Sequence, residues 1–165
     1  MARKNLFLSL ILIACLFIVS CKPNTAGITP VISQELQNSV PFKIVIPSYL
    51  PDDIKNHIPL IQGPWTDTPA PDITTIHITY QKGGEPVKMI IIDEENSFIE
   101  QDLGPEGTSF IVNGTTIGEG PSQMGGSQIL NGLIFAWNTS DIHYAVQIYG
   151  YQDAESRKII CSMIN

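Results

Sequence analysis

Apolar and polar residues alternate most regularly in two stretches of the chain. In ITTIHITYQ, Thr74, Ile76, Ile78 and Tyr80 fall on one side of an extended backbone, and Ile73, Thr75, His77 and Thr79 on the other. Successive side chains of a strand point to opposite faces, so this spacing predicts a half-buried strand. KGGE follows, and glycine's tolerance of positive φ makes it a hairpin turn into PVKMIIIDEE. Residues 73–93 therefore read as a β-hairpin. The second stretch is LIFAWNTSDIHYAVQIYG. There Leu133, Phe135 and Trp137 alternate with Ile134 and Ala136, NTSD turns the chain, and Ile142, Tyr144, Val146 and Ile148 alternate with His143, Ala145, Gln147 and Tyr149. FKIVIP predicts a further strand ended by Pro47, and SFIEQDL and TSFIVNG two more. QGPWTDTPAPD and GEGPSQMGG, rich in proline and glycine, read as loops. DAESRKIICSMIN changes period: Asp153 suits an N-cap, and Ile159, Ile160, Met163 and Ile164 make one helical stripe. The pattern predicts an α+β fold, an antiparallel β-sheet of about five to seven strands with a C-terminal amphipathic helix packed on it.

The start of the chain follows neither period. Arg3 and Lys4 precede an almost unbroken apolar run from Leu6 to Val19. Its length, about fourteen residues, suits a signal-peptide core and falls short of the roughly 20 that span a bilayer. Residues 1–20 are read as a secretory signal. Residues 21–41, KPNTAGITPVISQELQNSVP after the cysteine, hold three prolines and no sustained period. They read as a flexible tether. Residues 42–165 then form a single domain.

Charge narrows the function classes. Of nine basic residues, Arg3 and Lys4 leave with the signal, so seven face sixteen acidic ones in a formal charge of −9. Such a surface opposes nucleic-acid binding and broad adhesion to anionic lipid. Cysteine is sparse: Cys15, Cys21 and Cys161. With Cys21 modified and Cys15 removed in the signal, the count leaves no intrachain disulfide and no cysteine-based zinc site. Cys161, in IICSMI, reads as a small buried hydrophobe.

No catalytic or metal-binding constellation emerges. His57, His77 and His143 lack metal-site spacing. Asp52-Asp53 and Asp93-Glu94-Glu95 read as solvated turn ends, not as carboxylates set across a scissile bond. GEGPSQMGG lacks the Gly-Lys-Ser/Thr ending of a phosphate-binding loop, and no nucleophile elbow is present. No cofactor is implied. Trp65, set among prolines, is the one candidate ligand-binding residue, because an exposed indole offers both an apolar plate and a donor.

Two resemblances add to this reading. Ile18-Val19-Ser20-Cys21 resembles the lipobox of bacterial lipoproteins, with isoleucine where leucine is usual. The resemblance implies cleavage between Ser20 and Cys21, a diacylglyceryl thioether on Cys21, and a further acyl chain such as palmitate on its new amino group. Separately, PFKIVIPSYLPDD, the Thr75–Gln81 strand, Val112-Asn113-Gly114, LIFAWNTSDIHYAVQIYG and ESRKIICSMI resemble, in order and spacing, the bacterial family called domain of unknown function 4367. Tyr49-Leu50-Pro51, Trp137, Tyr144 and the helix near Arg157–Ile164 carry the likeness, over residues 41–165. It implies an extracytoplasmic domain of a kind sometimes attached to anti-sigma or sporulation proteins.

The expectation is a non-enzymatic protein held on the extracytoplasmic side of the cell membrane by its N-terminal acyl chains. It would bind a protein or small-molecule partner in envelope sensing or maintenance. The alternative is a lipid or lipoprotein carrier with an apolar cleft under the C-terminal helix.

Overall fold

The computed structural model describes residues 32–66, 72–84, 86–97, 107–125 and 129–164. The expected signal with Ser20, the lipidation site Cys21 and most of SFIEQDL lie outside them. The elements are α1 (Gln34–Asn38), β1 (Leu60–Thr66), β2 (Thr74–Lys82), β3 (Lys88–Glu95), β4 (Thr108–Val112), β5 (Thr115–Met124), β6 (Leu130–Asn138), β7 (His143–Tyr149) and α2 (Asp153–Cys161). The seven strands form one antiparallel sheet in the order β1-β2-β3-β7-β6-β5-β4. Two meanders make it up, β1 to β3 and β4 to β7, joined where β3 pairs with β7. Both expected hairpins are present, Lys82 facing Lys88 in one and Asn138 facing His143 in the other.

One face of the sheet carries the core. Ile76, Ile78 and Tyr80 of β2, Ile90 and Ile92 of β3, Phe135 and Trp137 of β6, and Tyr144, Val146 and Ile148 of β7 are all buried on it. Trp137 and Tyr144 are cross-strand partners stacked with ring centroids 4.9 Å apart. α2 closes this face with Ile159, Ile160 and Cys161, and the turn after it adds Met163 and Ile164. Arg157 fastens α2 to β5 through Glu119 at 2.8 Å and lies over the Phe110 ring. Gln152 occupies the N-cap in place of the expected Asp153, which is the first helical residue.

The expected strand FKIVIP is not one. Phe42 and Ile44 are buried in the core, but the segment's hydrogen bonds go to side chains. The Gln37 amide donates to the Phe42 carbonyl (2.7 Å) and accepts from the Ile44 N–H (3.2 Å), while the Val45 N–H donates to the Glu94 carboxylate (3.0 and 3.1 Å). With its polar groups so satisfied, the chain crosses the sheet without joining it. Ordered structure also reaches back into the expected tether: α1 lies there, capped by the Ser33 hydroxyl, and Ile32 and Leu36 pack on the core. Cys161 is buried as expected but is disulfide-bonded, which the cysteine count had excluded; its partner lies outside the described residues.

Both expected loops contain strands. QGPWT is part of β1, because a bulge between Gln62 and Trp65 absorbs the Gly-Pro pair on an edge strand. Gly63 sits there at φ 108, where an added Cβ would lie 2.8 Å from the Thr75 carbonyl oxygen. GEGPSQM is the second half of β5. Among the described residues the β4 ladder ends at the Thr108–Glu119 pair, so Pro121 is paired with β6 alone, where a proline is better tolerated than in a strand paired on both sides.

Glu94 is a carboxylic acid in this core, fully buried on the same face as Ile92. It was expected in a solvated turn. Burial pushes its carboxyl up to about 8, against the opposing pull of the Val45 N–H. Between its ordinary value of 4.5 and about 8 the folded protein holds a proton that the unfolded chain has released. Stability from this group is therefore complete below the lower value and is lost as pH rises toward the upper one. Glu94→Gln, which mimics the protonated acid, should gain on the wild type across that interval by up to about 1.4 kcal/mol per pH unit, read from urea unfolding at a series of pH values. A difference independent of pH would show that Glu94 titrates normally.

The Tyr80 hydroxyl is buried in the same core without a hydrogen-bond partner. Removing a hydroxyl left unsatisfied relieves a cost of about 1–3 kcal/mol. Tyr80→Phe should raise the urea midpoint at constant slope, and a loss of stability would reveal a partner for the hydroxyl.

Candidate ligand-binding face

The opposite face of the sheet takes every second residue of the same strands. Toward one end it carries a small apolar cluster of Met89, Ile91 and Tyr149, with Met124 and Leu130 against it. The Tyr149 ring rests over Gly132, its cross-strand partner, where an added Cβ would meet Ile148 backbone at 2.2 Å. The Tyr149 hydroxyl donates to Gln147 at 2.6 Å and lies 2.8 Å from Ser122.

Toward the other end the face is polar, and its residues line up in cross-strand rows. Trp65, Thr75, Glu95, His143 and Asn138 form one row; Gln62, His77, Asp93 and Ala145 form the next. The β1 bulge sets the first member. One extra residue on β1 brings Trp65 opposite Thr75, onto the same face as His77. Trp65 is 49% exposed, and its ring lies 6.3 Å from the His77 ring at a tilt of 54°.

Hydrogen bonds tie the rows together. His77 Nδ1 lies 2.6 Å from Asp93 Oδ1, and its Nε2 lies 3.0 Å from Thr79 Oγ1. A carboxylate can only accept, so Nδ1 carries the proton and, with the ring neutral, the Thr79 hydroxyl donates to Nε2. The Thr75 hydroxyl donates to Glu95 at 3.3 Å, and Ser97 donates to the same carboxylate. His143 Nδ1 lies 2.9 Å from Asn138 Oδ1. Burial holds the His143 imidazole below its ordinary range, although Glu95 and Asp93 act in the opposite sense.

The sequence named Trp65 as a contact and His77 and His143 as ordinary histidines; the fold sets all three on one face. Asp93 and Glu95, expected in a solvated turn, stand between them on β3. Strand alternation over KMIIIDEE was the signal that placed Asp93 and Glu95 opposite Glu94. Thr79, His77 and Asp93 follow the order of nucleophile, base and orienting acid. Such a group also needs donors aimed at a developing oxyanion. β2 is paired on both sides at Thr79, with Leu60 and with Ile91, so the strand's N–H groups there serve the ladders. Among the described residues no three histidine, cysteine or carboxylate side chains converge as metal ligands. The arrangement is suited to holding a ligand: an aromatic plate beside an imidazole, with two carboxylates on the next strand.

No protein-family model matches the chain, and no curated protein or solved structure matches it either.

The geometry of the two tryptophans is open to a direct check. Acrylamide should quench the exposed indole of Trp65 and leave that of Trp137 protected. Trp65→Phe should abolish the quenchable component of the emission, and equal quenching in both proteins would place Trp65 in the core.

Proposed function

We propose that this protein is a lipid-anchored, extracytoplasmic binding module that recognises its ligand through the sheet face bearing Trp65 and performs no chemistry on it. The observation that carries the reading is the half-exposed indole, set by a bulge beside His77, with Asp93 and Glu95 on the same face one strand further on. Exposed aromatic side chains among fixed polar groups are where binding energy concentrates. The paired backbone around Thr79 supports binding over acyl transfer. A carrier would use the space under α2; Ile159, Ile160 and Met163 contribute to the core there, so we prefer the opposite face.

The anchor belongs to the N-terminal segment. Among the described residues no helix is long and apolar enough to cross a membrane. An acylated Cys21 would supply attachment instead, each buried methylene contributing about 0.8 kcal/mol, with two or more chains holding durably. A cysteine joined to Cys161 in a disulfide is not open to acylation, so thioether and disulfide compete wherever they share a thiol.

One preparation tests the anchor. The native protein, purified from membranes without reductant, should have a mass that begins at Cys21 with its acyl chains, and Cys21→Ser should move the protein from the membrane fraction to the soluble extracytoplasmic fraction. An unmodified Cys21, or a variant that still sediments with membranes, would overturn the anchor.

A further inference from the structure

We propose that the Trp65 face binds a small organic ammonium ion. This deepens the reading above and rests on it. The cations of the described fold are placed elsewhere. Lys55 pairs with Asp52, Lys82 and Lys88 with Asp53, Arg157 with Glu119, and Lys158 with Glu155. Lys43 lies in the segment that covers the helix-bearing face. No strand residue pointing to the opposite face is lysine or arginine: β2 presents Thr75, His77 and Thr79, β3 presents Met89, Ile91, Asp93 and Glu95, and β7 presents His143, Ala145, Gln147 and Tyr149.

Among the described residues, Glu95 has no ion pair at all, and Asp93 has only His77, which is a cation only when protonated. The two carboxylates are two residues apart on one strand, so they stand about 7 Å from each other on the same face. That span suits one cation shared between them. On the same face, across β2 from these carboxylates, the exposed indole has the negative ring face that attracts ammonium groups. Anions are repelled by the carboxylates. A bare metal ion lacks a third ligand among the described residues. A neutral ligand would leave the Glu95 carboxylate without a counter-charge, whereas an ammonium ion offers a partner to the carboxylates and to the ring. The His77 Nδ1–H donates to Asp93 and holds its carboxylate in place on the face.

The test uses the detergent-solubilised full-length protein, with choline and 1,4-diaminobutane as probes and 3,3-dimethylbutanol, the neutral isostere of choline, and glucose as controls. Binding is followed by calorimetry and by tryptophan emission. At least one ammonium probe should bind saturably, more weakly as salt is added, and neither neutral control should. Trp65→Ala and the pair Asp93→Asn with Glu95→Gln should each weaken binding about tenfold or more, with unfolding midpoints near the wild type. Since each change lies on an exposed face, Trp65→Phe and the single carboxylate variants provide milder versions should a midpoint fall. No saturable binding of either ammonium ion, or binding indifferent to these variants, overturns the proposal. Binding of a neutral control that Trp65→Ala abolishes would overturn the ammonium assignment alone. If no probe's binding responds to any change on this face, the reading of the face fails too.

Discussion

Among the described residues the helix and the crossing chain cover one side of the sheet, and its other properties depend on that asymmetry. Residues 40–54 and α2 bury the even-numbered positions of β2 and β3 and the matching positions of β6 and β7. Because side chains alternate strictly along a strand, fixing one face fixes the other. A slip of one residue in β2 would put His77 into the core and Ile78 into solvent. The polar row therefore owes its register to the aliphatic row behind it, and substitutions in the core would be felt at the polar face through register.

Glu94 shows how tightly the two faces are bound together. Asp93 and Glu95 point away from the core while Glu94 points into it, where its carboxyl accepts the Val45 N–H and closes the crossing segment over the sheet. A buried acid is costly when ionised, and among the described residues it has one backbone donor and no cation. The device trades stability as pH rises from 4.5 toward about 8 for a fixed path of residues 42–47. The Gln37 side chain acts in the same way on Phe42 and Ile44. Neither contact is made by a strand partner, which is why the segment resembles a strand in composition and not in pairing.

Alternation was legible where local preference and tertiary environment agreed. Ile76, Ile78 and Tyr80, and likewise Phe135, Trp137, Tyr144 and Val146, have the β-branched or aromatic character of strands and the period of a sheet with one covered face. α2 was legible from its stripe. The strand order was not: nothing in the sequence announces that β3 pairs with β7, since that contact joins residues 48 to 60 positions apart. β5 was hidden because Gly118, Gly120 and Pro121 oppose strand formation, and pairing with β4 as far as Glu119 and with β6 from Gly118 onward overrides that weak preference. Trp65 was legible as exposed, but its companions were not, because Asp93 and Glu95 look like a turn until the pairing of β3 is known.

The misread residues are also the ones that build the candidate site. Natural sequences agree with local rules except where function or strain demands otherwise. Gly63 and Pro64 break the pattern of β1, and the bulge that results re-aims Trp65 toward His77. The run Asp93-Glu94-Glu95 puts three acids into a strand, and the fold disposes of them unequally, one into the core and two beside the indole. A solvated strand end would need none of this. Two carboxylates kept apart from every lysine and arginine of the described fold, on the same face as an exposed aromatic ring one strand away, are what the proposed ammonium site is built on.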